Sequence, residues 1–220
     1  MTRIRFLAAA ALVLGATPLA GQAVATAAPS AANVPAARTL PPIPEARQFT
    51  HWGDFDSSYD DDENSSSVAM NLRFDDTQRD VFIRRGSVLK AEMSTGFVFE
   101  GRVMKAYPDV VTMMLKFTRP TDQALKADRV GTGDIAIYVD GGVPIVVPGP
   151  LVSRNGVDIT GNHARNVEDT YIVVLSLPQF LRIVNGAQVD AQLHDLRMEF
   201  TGGPLESMRD LASRLQLAPE

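Results

Sequence analysis

The sequence contains no cysteine in its 220 residues. This absence excludes disulfide bonds, thiolate catalysis, cysteine-ligated zinc and the lipidated cysteine of a lipoprotein anchor. Without disulfides the protein depends on a hydrophobic core, and a domain of about 150 residues buries roughly 70% of its unfolded surface. The length that remains after the N-terminal segments described below favours one domain.

Histidine is also scarce, with three residues, His51, His163 and His194. None has a second histidine at the H-x-x-x-H spacing of a zinc site, and the chain has no G-x-S-x-G elbow of a serine hydrolase. We therefore expect no metal and no cofactor, and interpret the chain as a non-catalytic binding or envelope-associated structural domain. The alternative is a hydrolase whose site the fold assembles around His163, Glu168 and Asp169.

The chain lacks an apolar run of the roughly 20 residues that a membrane-spanning helix needs. Its longest N-terminal apolar run covers only residues 6–14 and follows the cations Arg3 and Arg5. Small residues recur shortly afterwards, so the pattern predicts a secretory signal peptide over 1–25 that is cut after Ala25. We expect an exported protein, periplasmic or extracellular, with no transmembrane segment in the mature chain.

Positive charge is in the minority, with 21 Lys and Arg against 26 Asp and Glu, a formal net charge of -5. A protein of this balance does not attract nucleic acid through its overall charge, so we expect no nucleic-acid partner. Arg84 and Arg85 form a local basic pair after the apolar residues 81–83. The pair is interpreted as the charged edge of a strand, which prevents aggregation, rather than as a ligand clamp.

Three regions are predicted to follow the signal peptide. Residues 26–50 are mostly Ala, Pro and small polar residues with little to bury, and this composition is typical of a disordered tether. Residues 51–66 are acidic and aromatic together, and form an arm that either caps the domain or stays loose. Residues 67–217 form a single β-rich domain.

The acidic residues of the arm are oxygen ligands of the kind that calcium binds. The candidate calcium ligands are Asp54, Asp56, Asp60 and Asp62. An EF-hand loop that begins at Asp54 has Tyr59 where the sharp turn requires glycine, and Ser65 where a bidentate glutamate belongs. The segment is therefore interpreted as a solvated run of charge.

Three aromatic residues, Trp52, Phe55 and Tyr59, are interleaved with these carboxylates. Aromatic side chains are frequent anchors of protein interfaces. We interpret the three as candidate contacts to a protein or envelope partner.

The remainder of the chain has the patterns of β-strands. In residues 68–74, valine, methionine, leucine and phenylalanine occupy every second position, which is typical of a half-buried strand. Further apolar runs of strand length continue as far as residue 200. Turn signals separate them, including Asp140-Gly141, which favours a hairpin turn with positive φ, and Asn155-Gly156.

Two helices are predicted near the C-terminus. Ser176 and Gln179 have the spacing of a capping box, which begins the first helix. Gly203 and Pro204 begin the second, in which Leu211 falls in the middle of an apolar face. Strand runs followed by grouped helices predict a mainly β fold, an antiparallel β sandwich with two short C-terminal helices, rather than alternating βαβ units.

Four features of the chain occur together in a group of uncharacterised exported bacterial β-rich domains. They are an acidic and aromatic entry at 55–59, a Val-Asp-Gly hairpin at 139–141, a helix of the Phe-x-x-Ile-x-x-Ala type at 180–187 and a closing amphipathic helix at 205–211. Over roughly residues 52–217 the chain resembles this group. The resemblance implies a fold and an exported location, and implies no reaction.

Overall fold

The structure is a computed structural model that describes residues 40–85, 87–120, 133–157 and 166–218. Eleven strands and three short helices occur within these ranges. In chain order they are β1 (Asp54–Asp60), β2 (Ser65–Arg73), α1 (Asp76–Phe82), β3 (Ile83–Arg85), β4 (Lys90–Glu100), β5 (Val110–Pro120), β6 (Asp134–Val139), β7 (Ile145–Pro148), β8 (Leu151–Val157), β9 (Asn166–Ser176), α2 (Leu177–Val184), β10 (Val189–Leu193), β11 (Leu196–Phe200) and α3 (Gly203–Ser213).

The strands form two antiparallel sheets. One sheet has six strands in the order β1-β2-β4-β5-β9-β8, and the other has five in the order β3-β11-β10-β6-β7. Alternate residues of the inner strands enter a shared core. Strand β5, for example, buries Val111, Met113, Leu115 and Phe117, and β10 buries Val189, Ala191 and Leu193. The predicted mainly β fold, a sandwich of antiparallel sheets with helices, is confirmed.

Both predicted helices are present with the predicted starts. Ser176 and Gln179 form the capping box of α2, and α3 begins at Gly203 with Pro204 in its first turn. The apolar face of α3 is buried, and Leu211 has no exposed surface.

A third helix, α1, corrects the prediction of two helices. Asp75 Oδ1 accepts a hydrogen bond from Gln78 N at 2.8 Å, and Gln78 Oε1 accepts one from Asp75 N at 3.0 Å. This is a capping box with aspartate as its first residue. The helix ends on Phe82, which stacks on Phe74 with ring centroids 4.4 Å apart. Capping and this aromatic contact therefore stabilise a helix of only 7 residues.

One predicted turn is confirmed and one is wrong. Asp140 and Gly141 have φ of 52° and 66°, as the Asp-Gly hairpin turn requires. Asn155 and Gly156 instead lie inside β8, opposite Glu168 and Val167 of β9. Pairing with an 11-residue neighbouring strand outweighs the local turn preference of Asn-Gly.

The segments before the domain make specific contacts where they are described. Residues 40–50 have no regular secondary structure, yet Ile43 packs against the core and Asn185 Nδ2 donates to Pro42 O at 2.7 Å. These contacts fix a stretch whose composition predicts disorder, because Ile43 supplies an apolar side chain that can be buried. The rest of the predicted tether and the predicted signal peptide lie outside the described residues.

The arm of residues 51–66 forms β1 and the start of β2. All seven residues of β1 pair with β2, from Asp54 opposite Asn71 to Asp60 opposite Ser65. The arm is thus the edge of the six-stranded sheet.

The longest helix in the described ranges, α3, has 11 residues. None of the helices there has the length and apolar character needed to cross a bilayer.

Candidate functional site

A cleft of about 470 Å³ opens at the edge of the five-stranded sheet where β3, β11 and β10 lie side by side. Its walls come from two segments far apart in sequence. The lining residues are Arg84, Arg85, Gln192, His194, Asp195 and Arg197. We refer to it below as the arginine cleft.

A β-bulge places two consecutive arginines of β3 in this cleft. Arg197 lies opposite Arg85 and Met198 lies opposite Ile83, so Arg84 is an extra residue without a partner on β11. A bulge interrupts the alternation of side chains between the two faces of a strand. Both Arg84 and Arg85 are consequently exposed and both line the cleft. The predicted strand edge at Arg84-Arg85 is thus present, and it also lines a cavity.

The pairing of β3 with β11 brings two like charges together. Side chains directly opposite in an antiparallel pair have Cβ atoms about 4.5–5.5 Å apart, and like charges there are destabilising. Arg197 Nη2 has only a marginal contact with Asp190 Oδ1, at 3.5 Å. Over the residues that the structure describes, Arg85 has no carboxylate within ion-pair distance.

The third arginine of the cleft is neutralised. Arg84 Nε donates a short hydrogen bond to Glu199 Oε2, and this contact raises the pKa of the Arg84 guanidinium above its ordinary value. Arg84 is thus paired with Glu199 and Arg197 lies 3.5 Å from Asp190, and the uncompensated positive charge of the cleft is on Arg85.

A buried ion pair lies behind the turn that closes one end of the cleft. Alternate side chains of β5 point inward, so the pattern that buries Phe117 also buries Arg119. Asp169 occupies an inner position on the neighbouring strand β9. The side chains of Arg119 and Asp169 have no exposed surface. Asp169 Oδ2 accepts from Arg119 Nη2 at 2.8 Å, and Arg154 donates to both oxygens of Asp169, at 2.6 Å and 2.9 Å. We refer to these three residues as the buried ion cluster.

The environment of Asp169 keeps it ionised. Burial alone raises the pKa of a carboxyl group, but the hydrogen bonds from Arg154 and Arg119 outweigh burial and lower the pKa of Asp169 below its ordinary value. Both of its oxygens are used in this way. The chemical role that fits this geometry is structural.

The cluster is linked to the cleft through the turn between β10 and β11. Arg119 Nη1 lies 3.4 Å from Asp195 Oδ1, and Asp195 lines the cleft. The preceding residue, His194, has a φ of 53°, and its ring centroid lies 6.3 Å from that of Tyr171 on β9. The turn is thus held against the six-stranded sheet by both a charge contact and a ring contact.

The residues of the predicted hydrolase site do not all converge. His163 lies outside the described residues. Glu168 and Asp169 are neighbours on β9 and therefore point to opposite faces of the sheet. Glu168 Oε1 lies 3.6 Å from Lys116 Nζ on the outer face, whereas Asp169 is buried among the two arginines. The two carboxylates of the predicted hydrolase site thus lie on opposite faces of the sheet, and the hydrolase stays a prediction.

The candidate calcium ligands are spread along an extended strand. Asp54, Asp56 and Asp60 belong to β1, in which the rise is about 3.3 Å per residue, so the first and last lie roughly 20 Å apart. Ligands of one calcium ion all lie within about 2.6 Å of it. Asp60 Oδ1 also accepts from the backbone N of Asp62 at 2.9 Å, which orders the β1–β2 turn. Across the described ranges no three His, Asp or Glu side chains are grouped to hold a metal ion.

The three aromatic residues of the arm contact this chain itself. Trp52 Nε1 donates to Arg73 O at 2.9 Å, and its ring approaches Gly203 so closely that a Cβ there would lie 1.9 Å from it. The guanidinium of Arg214 lies 3.4 Å from the ring centroid of Phe55, and that of Arg102 lies 3.9 Å from the ring centroid of Tyr59. The structure thus gives each ring an intramolecular role, and their contact with a partner stays a prediction.

The sequence predicted neither Arg197 nor the two arginines, Arg119 and Arg154, that surround Asp169. Arg197 and Arg85 meet only through the pairing of β3 with β11, and no local pattern predicts a partner so distant along the chain. The burial of Arg119 could have been predicted locally, because Arg119 continues the alternation of inner residues in the predicted strand that ends at Phe117.

Comparison with protein-family models, with curated proteins and with solved structures found no match for this chain.

Proposed function

We propose that this protein is an exported, non-catalytic binding domain and that the arginine cleft is its ligand site. The observation that carries the proposal is the direct opposition of Arg85 and Arg197 in a concave site. Like charges in register destabilise a sheet unless something between them compensates. A bound ligand supplies that compensation.

The export part of the proposal rests on the Arg-flanked apolar run and on the resemblance to exported bacterial domains. An envelope or extracellular location gives the domain access to small molecules and polymers outside the cytoplasm.

The ionised, hydrogen-bonded carboxylate of Asp169 favours a binding function over catalysis. A general base works best with a pKa near the operating pH. The lowered pKa of Asp169 and its hydrogen bonds to two guanidiniums make it a weak base with no free oxygen. Asp169 therefore acts as a structural anion, which removes one of the three residues of the alternative hydrolase.

A blocking variant tests the proposal. Gln192 lies opposite Arg197 and lines the cleft, so Gln192→Trp fills the cleft without changing its charge. The matched control is Val146→Trp, because Val146 is 57% exposed on the same sheet and does not line the cleft. The purified proteins are immobilised and incubated with culture medium and envelope extract of the exporting host, and the retained small molecules are identified by mass spectrometry.

We expect the parent protein and Val146→Trp to retain the same compound, and Gln192→Trp to lose it. Retention that is equal in all three proteins, or no retention at all, would refute the cleft as the ligand site. Recovery of the compound unchanged supports binding alone, and its conversion to a product would favour the hydrolase instead.

A further inference from the structure

We propose that the arginine cleft binds a phosphate group, held between the guanidiniums of Arg85 and Arg197. The inference rests on the proposed function and adds to it the chemical class of the ligand.

The register places three hydrogen-bond donors in one row across the sheet. Arg85 on β3 lies opposite Arg197 on β11, and Arg197 lies opposite Gln192 on β10. Neighbouring strands are about 4.8 Å apart, so the row spans roughly 10 Å at the backbone. Two guanidinium forks and one amide therefore converge from adjacent strands on the same cleft. A tetrahedral phosphate offers three acceptor oxygens to such a set of donors.

The charges around the site favour an anion. Glu199 neutralises Arg84, and the buried Arg119 lies against Asp195, so these two carboxylates already have cationic partners. Asp190 Oδ1 lies 3.5 Å from Arg197 Nη2, so among the described residues Arg85 is the guanidinium of the cleft that has no carboxylate within ion-pair distance. A phosphate monoester carries about -1.5 to -2 charges at neutral pH and three acceptor oxygens, so it can accept from both Arg85 and Arg197, whereas a carboxylate has one charge and two oxygens.

The shape of the cleft favours a phosphate on a small molecule or at the end of a chain. A volume of about 470 Å³ is in the range of small-molecule sites and accommodates a phosphate together with the group that it is attached to. Both the Asp195 side chain and the Glu199 side chain lie near the cleft, and their negative charge disfavours a long row of phosphates such as a nucleic-acid backbone.

Titration with defined anions tests the inference. The probes are inorganic phosphate, glycerol 3-phosphate, acetate and glycerol, each added to the full mature protein at low salt and followed by calorimetry and by thermal unfolding. The variants are Arg85→Gln and Arg197→Gln. The control is Arg73→Gln, which makes the same charge change at a residue that is 80% exposed on the other sheet.

We expect both phosphate probes to bind. Their dissociation constants should differ only if the glycerol atoms of glycerol 3-phosphate also contact the protein. Each cleft variant should weaken phosphate binding about tenfold or more, because a hydrogen bond to a charged group is lost, while Arg73→Gln should change it less than about twofold. Added phosphate should raise the melting temperature of the parent and of Arg73→Gln by more than that of Arg85→Gln at the same phosphate concentration.

A second readout excludes a folding defect in the variant. Arg85 is exposed and faces a like charge, so Arg85→Gln should melt at the same temperature as the parent or higher when no phosphate is present. A lower melting temperature would show that Arg85 stabilises the free protein and would overturn the argument from like charges.

The remaining outcomes separate the inference from the proposed function. If acetate binds and neither phosphate probe does, the phosphate inference is wrong and the ligand of the cleft is a carboxylate. If no anion binds while Gln192→Trp still abolishes retention of an envelope compound, the phosphate inference is wrong and the cleft remains the ligand site. Phosphate binding that is unaffected by Arg85→Gln and Arg197→Gln would overturn the assignment of the phosphate to this cleft.

Discussion

Replacement of Asp169 by asparagine should be among the most destabilising single changes in this protein. The asparagine side chain would keep one acceptor oxygen and would turn an NH₂ group toward a guanidinium that is itself only a donor. Arg119 has no exposed surface, so it cannot turn to water, whereas Arg154 is 26% exposed on its side chain and can. The loss in free energy of unfolding therefore arises mainly from the changed surroundings of the Arg119 guanidinium.

The magnitude follows from the burial of the pair. Removing one partner of a buried ion pair typically costs about 3–5 kcal/mol, because a charge is left without compensation. A domain of ordinary stability has about 5–15 kcal/mol in total. Arg119 would retain the contact with Asp195 at 3.4 Å, which places the expected loss for Asp169→Asn at about 3–4 kcal/mol rather than at the upper end.

Urea denaturation measures this loss, with the fluorescence of Trp52, the single tryptophan, as the probe. The matched control is Glu168→Gln on the neighbouring residue of β9. It makes the same chemical change at a carboxylate that lies 3.6 Å from Lys116 but is 28% exposed, so its cost should stay below about 1 kcal/mol. Equal losses for the two variants would refute the buried ion cluster as a main source of stability.

The pH dependence supplies an independent check. The pKa of Asp169 is lowered in the folded protein, so the unfolded chain binds its proton more readily. The stabilisation by Asp169 is then complete above the unfolded pKa of about 3.9 and is lost as the pH falls through the lower folded pKa. The difference in free energy of unfolding between the parent and Asp169→Asn should be constant from about pH 5 to 8 and shrink below about pH 4.

Three further predictions address the core, a helix cap and export. Leu211→Ala should cost about 2–5 kcal/mol in the free energy of unfolding because Leu211 has no exposed surface, and the control Leu217→Ala, at a residue 42% exposed, should cost far less. Asp75→Ala should cost about 1 kcal/mol through loss of the α1 cap, measured in the same denaturation assay; no change would show that α1 is held by Phe82 alone. Mass spectrometry of the secreted protein should find an N-terminus within residues 21–28, and a cytoplasmic protein with intact Met1 would contradict export.

Elements defined by local patterns could be predicted from the sequence. The hairpin of β10 and β11 alternates apolar and polar residues on both sides of a short turn, and α2 begins at a serine with glutamine three residues later. In each case the residues that form the element are neighbours in the sequence, so period and spacing determine the structure. The helix α1 has the same type of signal, with Asp75 in place of serine, and was missed because its apolar face is short.

The candidate site depends on contacts that no local pattern contains. Arg84 and Glu199 form an ion pair across 115 positions, and the register that sets Arg85 opposite Arg197 also sets Ile83, which packs against the core, opposite the buried Met198. The bulge that turns Arg84 outward also has no sequence sign. Such placements result from tertiary packing, which is why the basic pair could be interpreted only as a strand edge.

The two polar clusters of the domain have complementary physical roles. The buried ion cluster fixes Asp195 through Arg119, so one wall of the arginine cleft is ordered before any ligand binds. Binding to a preorganised site avoids the entropic cost of ordering a loop. Arg85, on the opposite wall formed by β3, faces Arg197 and carries a charge that the proposed ligand would compensate. The contact of one wall with the buried ion cluster and the uncompensated guanidinium on the other wall are the features that support the proposed anion site.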